Sequence, residues 1–182
     1  DIIGVGHVIR CLTIADKLNK FGFECCFITS LSSGNIIHKI NLKSFNIINL
    51  PKYFFEGDFD SLRESNSHKF KSFENNDFDN IWDKRKQIKS ENILIVDHYL
   101  LGFDWQKKAR LIFDKIIVID DLLNSPHDCD LIIDPNIRDP RELRNYNLTF
   151  NKKSTPVLSG SKYLIIRPEF QIERNQIEKK LN

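Results

Sequence analysis

Apolar positions along the chain follow two periods in alternation. After His7, the residues Leu12, Ile14, Ala15 and Leu18 recur at helical spacing, so a helix is expected over 7–20, closed by Gly22 of "KFGF". "FECCFIT" (23–29) is short and apolar, as a buried strand would be. "GNIIHKINLKS" (34–44) reads as a helix and "FNIINL" (45–50) as a strand stopped by Pro51. Residues 51–73 show no clear period and are expected to form a loop with at most a helical turn, followed by a helix over 74–90. "NILIVDHY" (92–99) is the clearest strand; a helix over 103–114 and the strand "KIIVIDD" (115–121) follow. "CDLIIDPN" (129–136) reads as a shorter strand cut by Pro135. A loop over 137–156, a partly extended segment over 157–170 and a polar helix over 171–182 complete the expectation.

Apolar strands alternating with helices imply a parallel sheet covered on both faces, wound by right-handed crossovers into a Rossmann-like α/β domain. The domain is expected over 1–170, with 171–182 leading away from it. Such sheets bind ligands beyond the carboxyl ends of their strands. That rule selects the turn at 4–10, the run Asp97–His98–Tyr99, and Asp120–Asp121. A glycine turn entering a helix normally follows a strand. "DIIGVGHVIR" has none before it and no initiator Met, so the chain reads as a fragment whose first strand is missing.

Composition narrows the functional classes. A chain of 182 residues, 41% apolar and 11% aromatic, can bury one sizeable core. Its 27 basic and 25 acidic residues are too evenly balanced and scattered for a nucleic-acid partner, and "DKRKQIK" (83–89) reads as a solvated face. No apolar run approaches the roughly 20 residues of a membrane span, and no signal peptide is visible, so no membrane partner is expected. Cys11, Cys25, Cys26 and Cys129 lack the spacing of a metal site and read as reduced, packed thiols of a cytoplasmic protein.

Four stretches carry candidate chemistry. In "GVGHVIR", Gly4 and Gly6 would let the backbone turn tightly and approach a ligand. His7 would lie in the first turn of a helix, whose dipole favours the neutral, proton-accepting imidazole. Arg10, three residues on, shares nearly the same face and suits a phosphate or carboxylate. The competing reading is a dinucleotide-type turn with an incidental histidine, but Arg10 stands where its third glycine is needed. Asp97 can orient His7, bind a sugar hydroxyl, or simply cap the next helix. His98 and Tyr99 would face opposite sides of a continuing strand, with Tyr99 offering a hydroxyl and a flat face to a sugar. The acidic run Asp120, Asp121, Asp128, Asp130 and Asp134 lacks the pattern of a calcium loop and reads as strand-end caps, with His127 a loop residue. In "SGSKYLIIRPEF", Gly160 and the serines could leave N–H groups free for a ligand, but a role in fixing the crossover is preferred.

Taken in order, "IGVGHVIRCLTIADKL", "IVDHYLL", "VIDDLLNSPHDCDLIIDPN" and "GSKYLIIRPEF" resemble the UDP-2,4-diacetamido-2,4,6-trideoxy-β-L-altropyranose hydrolases of pseudaminic acid biosynthesis, a family related to spore-coat polysaccharide proteins. The resemblance covers about 165 residues. It implies the N-terminal half of a two-domain GT-B enzyme that releases UDP and free sugar with inversion, needing neither metal nor cofactor. The histidine of its GxGHxxR motif, here His7, would activate water, and the tyrosine of its DHY motif, here Tyr99, would contact the UDP-sugar. Gly4, Gly6, Arg10, Asp97 and His98 would complete the substrate side. Most UDP contacts would come from a C-terminal domain beyond this chain, so the chain alone is expected to bind UDP weakly and turn over little. The alternatives are a glycosyltransferase on the same fold and a catalytically silent sugar-binding domain.

Overall fold

The computed structural model describes residues 5–30, 40, 43–51, 68–151, 154–167 and 170. Helix α1 (Val5–Lys20) leads into strand β1 (Cys26–Ser30), and strand β2 (Asn46–Leu50) pairs with it. Helix α2 (His68–Lys84) ends in a 3-10 turn (Arg85–Gln87) ahead of strand β3 (Ile93–Val96). Helix α3 (Phe103–Ala109), strands β4 (Lys115–Ile119) and β5 (Leu131–Asp134), helix α4 (Pro140–Thr149) and strand β6 (Val157–Ser159) follow. A second 3-10 turn spans Ser161–Tyr163. The strands form a pair, β1-β2, and a four-stranded sheet in the order β3-β4-β5-β6. All pairings are parallel. This is the Rossmann-like α/β arrangement that the alternating periods imply.

One core unites the pieces. Ile48 and Leu50 of β2 belong to the same buried cluster as Phe78 and Ile81 of α2, Val96 of β3, Trp105 of α3, Ile116 and Val118 of β4, and Ile132 of β5. Polar contacts fasten the helices around it. Trp105 donates its indole N–H to Asp77 (3.0 Å), and the Gly102 N–H at the start of α3 donates to Glu74 (3.2 Å), tying α3 to α2.

Several element boundaries differ from the expected ones, each for a local reason. Helix α1 begins at Val5, so Gly6 lies within its first turn rather than in a tight bend, and a Cβ there would meet nothing within 4 Å. Helix α2 begins at His68, inside the stretch expected to be a loop. Phe70 and Phe73 fall on the same helical face as Phe78 and Ile81, but two apolar residues among polar neighbours are too few to show a period by themselves. The loop expected over 137–156 contains helix α4, announced by Asp139, which accepts the Arg141 N–H at 2.8 Å, with Pro140 in the first turn. Helix α3 stops at Ala109, five residues early, because the chain turns at Arg110–Ile112. Strand β1 starts at Cys26 and is not fully buried: Cys26 is exposed and Cys25 half-buried, since among the described residues β1 pairs on one edge alone. The expected helix at 34–44 lies largely, and the helix at 171–182 wholly, outside the described residues.

Candidate functional site

Parallel register sets the carboxyl ends of β3, β4 and β5 side by side: Val96 pairs with Val118, and Ile119 with Ile133. Asp97 therefore leaves β3 at the same edge where Asp120 and Asp121 leave β4. The first turn of α1 lies against this edge, bringing His7 and Arg10 to Asp97.

Asp97 is the hub. His7 Nδ1 lies 2.6 Å from its Oδ1, Arg10 Nη2 donates to the same oxygen at 2.5 Å, and Arg10 Nε donates to Oδ2 at 2.6 Å. Cys11 Sγ approaches Oδ2 at 3.8 Å. The Asp97 side chain is 1% exposed. Burial by itself would raise its pKa, but the hydrogen bonds from Arg10 and His7 and the guanidinium charge outweigh it and hold the carboxyl below its ordinary range. An ionised carboxylate can only accept, so Nδ1 of His7 must carry the proton it donates. In the tautomer that makes this bond with a neutral ring, the lone pair is on Nε2. Two donors on one oxygen also explain why Arg10 Nη2 and His7 Nδ1 are 3.2 Å apart.

Asp121 makes a second bridge. Its Oδ1 accepts the Tyr99 hydroxyl at 2.8 Å, and Arg10 Nη1 reaches its Oδ2 at 3.4 Å. The Tyr99 ring meets the His7 ring edge-on, with centroids 4.7 Å apart and planes at 86°. Burial and the Asp121 carboxylate push the Tyr99 phenol up to about 12, so it remains a donor at neutral pH. His7, Arg10, Asp97 and Tyr99 are thus brought together, from opposite halves of the chain. Asp121, which belonged to the acidic run in the sequence, is a full member of the group.

Other candidates fall differently. Arg10, which the sequence suits to a phosphate or carboxylate, closes on two carboxylates of its own chain, and these raise its pKa against the cost of burial. His98 turns away because β3 ends at Val96 rather than continuing to Tyr99. Its Nδ1 accepts the Leu100 N–H at 3.1 Å and its ring stacks on Phe73, and burial depresses its pKa to about 4. Gly6 lines a shallow cleft of about 330 Å³ with Ile9, Arg10, Thr13, Ile165 and Phe170; Gly4 lies outside the described residues. Asp120 works as a turn cap, accepting the Leu122 N–H at 2.8 Å and pairing with His127 Nε2 at 2.9 Å. Gln106 donates to the other His127 nitrogen at 3.0 Å, so His127 is a fastened loop residue. Among the described residues no three His, Cys, Asp or Glu side chains gather as a metal site would need, and no helix is long and apolar enough to cross a membrane.

Fold and site together define a Rossmann-like α/β unit that carries a histidine–aspartate pair, braced by an arginine and a tyrosine, at the carboxyl edge of its sheet. Comparison with known proteins adds one relative: the uncharacterized protein MJ1062 of Methanocaldococcus jannaschii is 26% identical over 182 residues, covering 99% of this chain. The chain spans about a third (32%) of that protein's length. No family model and no solved structure matches the chain.

Proposed function

We propose that the chain is the base-carrying, sugar-facing half of a GT-B hydrolase that cleaves a UDP-activated 2,4-diacetamido-2,4,6-trideoxy sugar to UDP and free sugar. One observation carries the reading most: His7 is held through Nδ1 on a buried, ionised Asp97, leaving Nε2 as a base at the ligand-binding edge of the sheet. The sequence motifs that contribute His7, Arg10, Asp97 and Tyr99 are those on which the resemblance to such hydrolases rests.

The chemistry asks little else of this half. UDP is already a charged leaving group, so the step needs a water activated by a positioned base and donors for the charge that grows on the diphosphate. Nε2 takes a proton from water as the oxygen attacks the anomeric carbon from the face opposite UDP. The bond from that carbon to the phosphate oxygen breaks, and its electron pair leaves with UDP. Asp97 stabilises the imidazolium that forms, as a carboxylate does for a catalytic histidine in other hydrolases. The described cluster holds two carboxylates and a single guanidinium committed to both, so it offers no surplus positive charge to a diphosphate. Donors for UDP fit best on a second domain, which makes the isolated chain a weak binder of UDP.

The test is UDP release from UDP-2,4-diacetamido-2,4,6-trideoxy-β-L-altropyranose by the full-length protein, with no acceptor present. Release that vanishes in His7→Ala is the expected outcome. Full activity in His7→Ala would remove the base assignment, and release only on addition of a sugar acceptor would make the protein a glycosyltransferase.

A further inference from the structure

The cluster around His7 does not end at Asp121. The Asp121 backbone carbonyl accepts two side-chain donors from the loop after β5: Asn136 Nδ2 at 2.7 Å and Arg138 Nη2 at 2.5 Å. Arg138 is itself anchored, its Nε donating to Asp134 at 2.6 Å. Asp134 ends β5 with no exposed surface and takes a further hydrogen bond from Ser159 at the end of β6, 2.9 Å away. The Asn136 N–H also donates to Asp134, at 3.0 Å. Polar contacts therefore run without interruption along the carboxyl edge of the sheet. They pass from Ser159 on β6 through Asp134, Arg138 and Asp121 to Tyr99 and Arg10, and from there to Asp97 and His7.

The segment holding Asp121 needs such an anchor. Asp120 and Asp121 lie past the end of β4, in a connection to β5 that contains no helix, and Leu123 two residues on has a positive φ of 47°. The Asp120 N–H still donates to the Ile133 carbonyl of β5 at 3.0 Å, and the ladder ends with that bond, one residue before Asp121. Two donors on the Asp121 carbonyl replace the missing ladder bond and orient the residue, so that its carboxylate meets both the Tyr99 hydroxyl and the Arg10 guanidinium.

We propose that Arg138 and Asn136 are positioning residues, which fix Asp121 through its carbonyl and thereby set Tyr99 and Arg10 around His7 from the loop after β5. Neither side chain is placed to touch the reacting atoms. The structural part stands by itself; the kinetic consequence rests on the hydrolase reading.

Two variants of the full-length protein test it. Arg138→Lys keeps a positive charge beside buried Asp134, but it lacks the fork by which separate nitrogens, Nε and Nη2, meet Asp134 and the Asp121 carbonyl. Asn136→Ala removes the other donor from an exposed position. The readout is the ionisation of Tyr99, followed by NMR of ring-labelled tyrosine, alongside UDP release. Burial holds most of the phenol's upward shift and the Asp121 contact adds to it, so in both variants the phenol is expected to move down from about 12 by the part that Asp121 supplies. UDP release is expected to slow about tenfold in kcat with KM little changed, the pattern of a misplaced catalytic group. An unmoved Tyr99 in both variants overturns the proposal, and so does a moved Tyr99 with an undiminished kcat. If Tyr99 moves but the wild-type protein releases no UDP, the link from Arg138 to Tyr99 stands and the hydrolase reading falls.

Discussion

Two half-buried titrating groups, one next to Asp97 in sequence and one between α2 and α3, have opposite effects on stability. His98, pressed against Phe73, is depressed by burial to about 4 from an ordinary 6.5, so the unfolded chain binds its proton more readily than the folded one. Its contribution is intact above pH 6.5 and is lost as pH falls toward 4. Asp77 is raised by burial to about 6 from 3.8, against the pull of the Trp105 N–H, so the folded chain holds its proton longer. Its contribution is largest in acid and is lost as pH rises from 3.8 to 6. Each difference is worth about 3 kcal/mol at most. The two slopes oppose over most of the same window. Unfolding by urea between pH 4 and 6.5 should therefore show a steeper rise in stability with pH for Asp77→Asn than for wild type. His98→Asn should show the reverse. Parallel pH profiles for the two variants would refute this account of both environments.

Among the elements, α1 matters most for the site, and its closure is a Schellman turn. The Gly22 N–H donates to Asn19 (3.0 Å) and the Phe23 N–H reaches back to Leu18 (3.1 Å), with Gly22 at φ 87°. A Cβ at Gly22 would meet nothing within 4 Å, so substitution costs only the left-handed backbone. Gly22→Ala is expected to lower stability by about 1 kcal/mol, measured by thermal unfolding, while His7 at the other end of the helix keeps its contacts. This closure was legible because it is local: a glycine one turn past Leu18, the last periodic residue. Helix α4 carried an equally local signal in Asp139–Pro140, but its face is mostly polar, with Leu143 and Tyr146 giving a weak period. The early start of α2 was hidden by a weak period too: Phe70 and Phe73 stand among polar residues, and the face they begin continues through two carboxylates, Glu74 and Asp77. Both carboxylates sit there because α3 supplies donors, Gly102 N–H and Trp105 Nε1–H, and that pairing exists only once the helices have met.

At the scale of the molecule, burial is uneven. Strand β4 lies inside the four-stranded sheet, with Ile116 fully buried and Val118 and Ile119 nearly so. Strand β1 belongs to the two-stranded sheet and is exposed at both ends. Local opening draws on regions with few buried apolar contacts. Hydrogen exchange on the 182-residue chain should therefore release the amides of residues 26–30 well before those of 115–119. Equal protection would mean that β1 is held by contacts beyond those described.

What the sequence determined by itself was the class of the fold and which residues gather at the carboxyl edge of its sheet. Apolar period distinguishes strand from helix within a few residues, and the carboxyl-end rule then marked Asp97, Tyr99 and Asp121 with the His7 turn. Only the tertiary structure decided how those side chains are spent. Arg10 closes on Asp97 and Asp121, 87 and 111 residues away. His98 turns inward after β3 stops, and Arg138 reaches Asp121 from the next loop. Period and capping are short-range and are written in neighbouring residues. The choice among several carboxylates for one guanidinium depends on distances that exist only when β3, β4 and α1 have packed around a common core.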